Sequence, residues 1–147
     1  MSKILKALDV VSRVANSTIV KSIRSGLKMN GRPAWDEVWM QMAHLIAQRS
    51  YDPRYRVGVV VVTEDNTQVL AVGYNGNYTG GPNEVESHEP GESGFIHAEI
   101  NALLKMDYNN PKKKILYVTL SPCRMCAKAI VNAGIDEVVY DLSLIHI

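Results

Sequence analysis

Cysteine is scarce in this chain of 147 residues. There are two, Cys123 and Cys126, three positions apart. In a reducing compartment such a pair binds metal or cycles redox state more often than it forms a structural disulfide. Long apolar runs are missing as well, and none approaches the roughly 20 residues of a membrane-spanning helix. The start lacks the basic, apolar and small-residue succession of a secretory leader. The expectation is therefore a soluble, cytoplasmic protein with no membrane partner. Nor is there an excess of charge: 16 basic residues face 15 acidic ones, a net of +1. That balance marks neither a nucleic-acid binder nor a protein that docks on acidic surfaces. We find no internal repeat and no low-complexity tract. What is present is a 46% hydrophobic composition, enough for one domain with a real core and too short for two.

The near-zero net charge hides an asymmetry. Residues 1–33 carry Lys3, Lys6, Arg13, Lys21, Arg24, Lys28 and Arg32 against Asp9 alone, while the remainder is mildly acidic. Residues 1–28 read as a helix, with Ile4, Leu5, Leu8, Val11 and Ala15 on one stripe, and a Gly/Asn/Pro break follows from Gly26 to Pro33. Trp35 to Arg49 has apolar residues at helical spacing, with Asp36 and Glu37 in the first turn, where the helix dipole favours them. Val57 to Val62 and Gln68 to Tyr74 are β-branched runs around Glu64-Asp65-Asn66, which predicts a hairpin feeding a buried sheet. A polar loop of 20 residues, Asn75 to Gly94, contains five Gly and two Pro. Loops of that length in a compact domain are functional or mobile as a rule.

His97 to Met106 returns to helical spacing, and Ile115 to Thr119 predicts a third strand. Ser121-Pro122 has the form of an N-cap followed by proline at the first helical position. That helix runs to about Asn132, with Gly134 as the residue after its C-cap. Glu137 to Tyr140 begins a fourth strand. The order gives an α/β fold, a three-layer α/β/α sandwich with a mixed central sheet.

Four residues carry chemistry. Cys123 and Cys126 can face one point from the start of a helix, where the dipole and free N–H groups stabilise thiolates. His97, at the start of the other helix, can supply a nitrogen. Catalytic zinc takes three protein ligands and keeps a fourth position for a water, whose pKa it lowers to roughly 7. Glu99, two residues past His97, is placed to move a proton without being a ligand. A Cys-x-x-Cys alone is weakly specific and fits redox or incidental use. Redox use leaves His97 and Glu99 without a role, and a structural zinc wants a fourth Cys or His that no nearby residue supplies. His-x-E followed by Pro-Cys-x-x-Cys is the pattern by which zinc-dependent nucleobase deaminases are recognised.

From Arg32 to Tyr140 the chain resembles the deoxycytidylate deaminase family. Matching pieces are Arg32-Pro33-x-Trp35-Asp36, Ala47-x-Arg49-Ser50, Arg56-Val57-Gly58, Gly73-Tyr74-Asn75-Gly76, His97-Ala98-Glu99-Ile100-Asn101-Ala102 and Ser121-Pro122-Cys123. The resemblance implies a cytidine deaminase-like fold, one Zn2+ per subunit, and conversion of dCMP to dUMP with release of ammonia, in thymidylate precursor supply. It implies that Asn75 hydrogen-bonds the sugar or base, that the Ala98 N–H reads the pyrimidine carbonyl, and that the Ser121 carbonyl receives the amine. Family members also bind dCTP and dTTP effectors through the Gly-Tyr-Asn-Gly region, commonly as hexamers, which would carry over to Gly73, Tyr74, Asn75 and Gly76. A need for tight turns at Gly73 and Gly76 explains those glycines as well. Some relatives hold a second, structural zinc in the following loop. Here residues 77–94 contain no cysteine, and His88 stands alone as a solvated residue. Arg54, Arg56 or Arg124 could offset the acidity of that loop for a phosphate.

Two alternatives remain at this point. A tRNA adenosine deaminase is disfavoured by Ser121, where glutamate is usual, and by the acidic body, which suits no nucleic acid. A catalytically silent zinc-binding subunit would not need Glu99.

Both ends stand apart from the resemblance. Residues 1–31 form a basic extension, either genuine or the product of a start assigned too early, since Met29 would also serve. Leu142-Ser143-Leu144-Ile145-His146-Ile147 coincides with one frame of a transposase mosaic-end adapter, CTGTCTCTTATACACATC. This suggests a reading frame cut after about Asp141, against the alternative of a genuine apolar strand. On that reading, residues 32–141 are a deaminase domain lacking its C-terminal helix and strand, with an unpaired sheet edge.

Overall fold

A computed structural model describes residues 19–23 and 31–141. Five strands form one mixed sheet: β1 (Ile19–Ile23), β2 (Gly58–Thr63), β3 (Val69–Tyr74), β4 (Lys114–Val118) and β5 (Glu137–Asp141). Its order is β1-β5-β4-β2-β3. The hairpin β2–β3 and the β2–β4 pair are antiparallel, while β4–β5 and β1–β5 are parallel. Three helices cover it: α1 (Trp35–Ala47), α2 (Ala98–Lys105) and α3 (Arg124–Asn132). Among the described residues no helix is long and apolar enough to cross a membrane.

The two-residue period of β2 assigns the layers. Val60 and Val62 join Met40 and Ala43 of α1, with Tyr117 and Val139, in one core. Val59 and Val61 point the other way, into a second core with Ala98, Ala102 and Leu103 of α2 and Ile130 of α3. Every residue of β2 is buried, as expected for a strand enclosed on both faces. The three-layer sandwich read from the sequence is thus the observed architecture.

Two local expectations are corrected. The helix expected over residues 1–28 does not include Ile19–Ile23, which instead pair along β5 from Ile19↔Glu137 to Ile23↔Asp141. Ile19, Val20 and Ile23 are β-branched and suit a strand. Lys21 also bonds Asp36 at the start of α1. The outer edge of β5 is therefore paired with β1, and the rest of the basic extension and residues 142–147 lie outside the described residues. The second correction is at α3. Its N-cap is Cys123, with extended backbone and a sulfur that accepts from the Cys126 N–H, so Ser121 and Pro122 precede the helix. The cap belongs to the sulfur because Pro122 has no N–H to give and the free N–H groups lie one turn further on. At its other end Gly134 has φ +81°. Gly134 N donates to Val131 O, and Ile135 N to Ile130 O, closing the helix in a Schellman motif.

Candidate active site

The sheet carries the N-termini of α2 and α3 to one end, and the candidate ligands sit there. His97 is the N-cap of α2 with extended backbone, and its side chain makes no capping bond. That leaves the ring free to reach across to α3. Its Nδ1 lies 3.2 Å from Cys126 Sγ and 3.5 Å from Cys123 Sγ. All three donor atoms fall within 4.8 Å of one another. Bonds of about 2.0 Å to nitrogen and 2.3 Å to sulfur in a tetrahedron put ligand atoms roughly 3.5 Å apart. The donor set, one imidazole and two sulfurs, fits zinc in kind and in spacing.

The electrostatics of the pair are unequal. The Cys126 thiol and the His97 ring both hydrogen-bond Cys123 and hold its pKa at about 4. Cys126 is pushed well up, first by sharing its proton with Cys123 and then by burial. The metal-free pair therefore carries one negative charge at neutral pH, and an arriving cation displaces the second proton. His97 is raised from its ordinary value by the hydrogen bond its ring donates to the Cys123 sulfur, partly opposed by burial. Glu99 is 4% exposed and burial raises its pKa, partly opposed by Cys126 and His97.

A cavity of about 630 Å³ opens over these groups. His97, Ala98, Glu99, Ser121 and Cys123 line it at the helix termini. Ala98 is the first helical residue, so its N–H has no partner within α2. Ser121 is 8% exposed and its Oγ, buried, has no hydrogen-bond partner. Such an atom calls for a ligand or a water. A second wall comes from the turn after α1 and from the loop whose base is closed by Gly76 and Ile96, each N–H bonding the other's carbonyl at 3.1 and 2.8 Å.

The match to known proteins decides the family. The family model described as "Cytidine and deoxycytidylate deaminase zinc-binding region" matches residues 33–142. The chain belongs to the cytidine and deoxycytidylate deaminase family. It is 37% identical over 114 residues to the deoxycytidylate deaminase of Homo sapiens, covering 72% of this chain and 64% of that one. With the deoxycytidylate deaminase of Mycobacterium phage D29 it shares 38% over 124 residues, covering 74% and 95%. The solved dCMP deaminase of cyanophage S-TIM5, in complex with dCMP and dUMP, superposes with a TM-score of 0.63 at 34% identity, covering 78% and 88%. The chain thus spans less than two thirds of the length of the human relative it matches. Zinc is the metal this family's region binds, and the three donors above are what the chain offers it.

The remaining residues named from the sequence divide. Asn75 lines the cavity, yet its amide is occupied: Oδ1 accepts from Val57 N at 2.9 Å, and Nδ2 donates to Tyr55 O at 2.8 Å and Asp52 Oδ2 at 3.2 Å. It therefore shapes the wall, and only a lone pair of Oδ1 is left for a ligand. Asn101 Nδ2 donates to Tyr74 O at 2.9 Å, stitching α2 to the end of β3. Gly73 is buried within β3, and neither it nor Gly76 has positive φ, so the turn explanation is wrong for both. A Cβ on Gly73 would stand 2.5 Å from Ala98 O and 2.6 Å from Ala102 N; the glycine lets α2 lie directly on the strand. Tyr74 is exposed and Gly76 half-buried at the strand's end. Asp52 was missed. It is buried and its Oδ1 accepts from the N–H groups of Arg54 at 2.7 Å and Tyr55 at 3.0 Å. The Asp-Pro turn after the helix was the available sign of it.

Proposed function

We propose that this protein is a zinc-dependent hydrolytic deaminase that converts dCMP to dUMP and ammonia, supplying thymidylate precursors. The observation that carries the reading is Glu99, a buried carboxyl in the wall of the cavity beside a three-donor metal site. A metal-binding module has no use for a carboxylate kept out of water at that position, whereas a proton-transfer step does. His97, Cys123 and Cys126 hold the metal. Zinc, when bound, supplies a Lewis acid that makes a water acidic enough to give a nucleophile near neutral pH.

Glu99 takes one proton from the attacking water and gives it to the ring nitrogen, where the product keeps it, then takes the proton of the added hydroxyl and gives it to the departing amine. Burial raises its proton affinity, so it can hold each proton between acceptance and delivery. The Ala98 N–H faces the pyrimidine carbonyl and the Ser121 carbonyl receives the amine, while Asn75 fixes the wall against the sugar. Tyr74, Asn75 and Gly76 would meet dCTP or dTTP effectors in a homo-oligomer, a hexamer on the family pattern. The protein acts in the cytoplasm on a free nucleotide, with no nucleic acid. The test is ammonia release from dCMP by the zinc-loaded protein, with Glu99→Ala alongside. The expected result is release that the variant loses while it keeps its zinc. Full activity in Glu99→Ala, or no release by the parent, overturns the reading.

A further inference from the structure

The sheet runs β1-β5-β4-β2-β3, so among the described strands β3 has a neighbour on one side only. Asn75 N donates to Val57 O at 3.3 Å, which sets the phase of the ladder. With Val59↔Gly73 and Val61↔Ala71 in register, Gly73 and Ala71 also turn their backbone N–H and C=O groups to β2. The alternation then turns those of Val72 and Tyr74 to the open side. The Tyr74 carbonyl is met there by Asn101 Nδ2 at 2.9 Å. Open edges are ordinarily guarded by lysine, proline or an inward charge. β3, Val-Leu-Ala-Val-Gly-Tyr, has none of them, whereas the opposite edge, β1, carries Lys21.

The helix above this edge is apolar where it overlooks it. α2 is tied to the rim of β3 at both ends, by Asn101 to Tyr74 and, in the turn after the helix, by Asn110 Nδ2 to Gln68 Oε1 at 3.1 Å. Between those ties stand Leu104, 72% exposed, and Tyr108, 56% exposed, and Val69 at the start of β3 is exposed as well. Large apolar side chains gathered beside an unpaired edge mark a contact surface. The charged residues next to them, Lys105 and Asp107, are exposed and of opposite sign, so the patch has no net charge to repel its own copy. An extended peptide would pair with the edge and leave Leu104 and Tyr108 in water. A second copy of this chain covers both.

We propose that β3 pairs antiparallel with β3 of a second copy, about a two-fold axis through Val72. An antiparallel edge is its own complement under that operation, because each outward-facing residue both donates and accepts. Val72 then lies opposite its own counterpart, and the Tyr74 carbonyl keeps a second lone pair beside the one that Asn101 takes. The two α2 helices share one face of the joined sheet and bring Leu104 and Tyr108 of each copy against the other. The joint ends beside Asn75, in the wall of the cavity. The inference deepens the homo-oligomer reading, on which it rests for there being an oligomer, by naming the surface that joins two copies.

The test reads self-association of the zinc-loaded protein by light scattering at micromolar concentration. No substrate is present, so the result does not depend on whether dCMP is deaminated. Each copy buries one Leu104, so Leu104→Glu should weaken association roughly 10–100-fold. Val69→Lys, which places a lysine on the edge, should weaken it too. Both positions are exposed, which spares folding, and Leu45→Glu, at a comparably exposed leucine on α1, should change nothing. In a hydrogen-bonded antiparallel pair the Cα atoms stand about 5.5 Å apart, within disulfide range. Val72→Cys should therefore cross-link two copies under oxidised glutathione, and Thr67→Cys should not. A monomeric parent overturns the inference and the homo-oligomer reading together. An oligomeric parent that Leu104→Glu and Val69→Lys leave unchanged, or a Val72→Cys protein that does not cross-link, overturns the inference and leaves that reading standing.

Discussion

Gly73→Ala tests how the sheet supports the metal site. The new Cβ would sit 2.5 Å from Ala98 O and 2.6 Å from Ala102 N, where ordinary contact begins at 3.4 Å. Both neighbours are backbone, so no side chain can turn aside, and α2 must retreat by about 0.9 Å at its first residue. Overpacking of this kind costs about 2–3 kcal/mol, a large share of a marginal stability. The same retreat moves His97 and Glu99, which α2 carries. Metal–ligand distances tolerate only about 0.2 Å. Zinc affinity should therefore fall roughly 10–100-fold, as it does when the support of a ligand is lost. Gly58→Ala is the control. Its Cβ would strike Ala43 O and lie 2.6 Å from Ala47 N of α1, a helix that carries no metal donor. Urea unfolding should show both variants destabilised, and chelator competition should show zinc weakened in Gly73→Ala alone. Unchanged zinc affinity in Gly73→Ala, or an equal loss in Gly58→Ala, refutes the reasoning.

Two further outcomes follow from the charges at the site. In metal-free protein at pH 7, iodoacetamide should label Cys123 and spare Cys126. The former is exposed with a pKa of about 4, while the latter is buried and holds its proton; mass spectrometry reads the site, and labelling of Cys126 first would contradict the assignment. Glu99→Gln should stabilise the metal-free protein against urea, and more so at pH 8 than at pH 4. Because the folded pKa of Glu99 is raised, the native state binds the proton more tightly than the unfolded chain does. The carboxyl therefore costs no stability at pH 4, below its ordinary value of 4.5, and costs progressively more as pH rises above that value. A difference that shrinks with rising pH would show the sign to be wrong.

The sequence by itself determined which three residues could hold a metal, which carboxyl stands beside them, and the layering, because each is written in short-range spacing. Cys123 and Cys126 share a helix start, His97 and Glu99 share another, and the alternation of Val59 to Val62 sends side chains to two cores. Tertiary structure alone decided the rest. Ile19–Ile23 became a strand because β5 offers an edge far along the chain, and that pairing overrides a helical pattern. Ser121-Pro122 had the form of a cap, but the sulfur of Cys123 met the free N–H instead. Gly73 proved to be a seat for a helix, and Asn75 a brace for the wall with little left to offer a ligand. Among Arg54, Arg56 and Arg124 only the fold could choose, since which arginine faces the cavity depends on the turn at Asp52 and on a loop more than 30 residues away meeting across it. Local patterns fix which chemistry is possible, and contacts between distant segments fix which groups are free to take part in it.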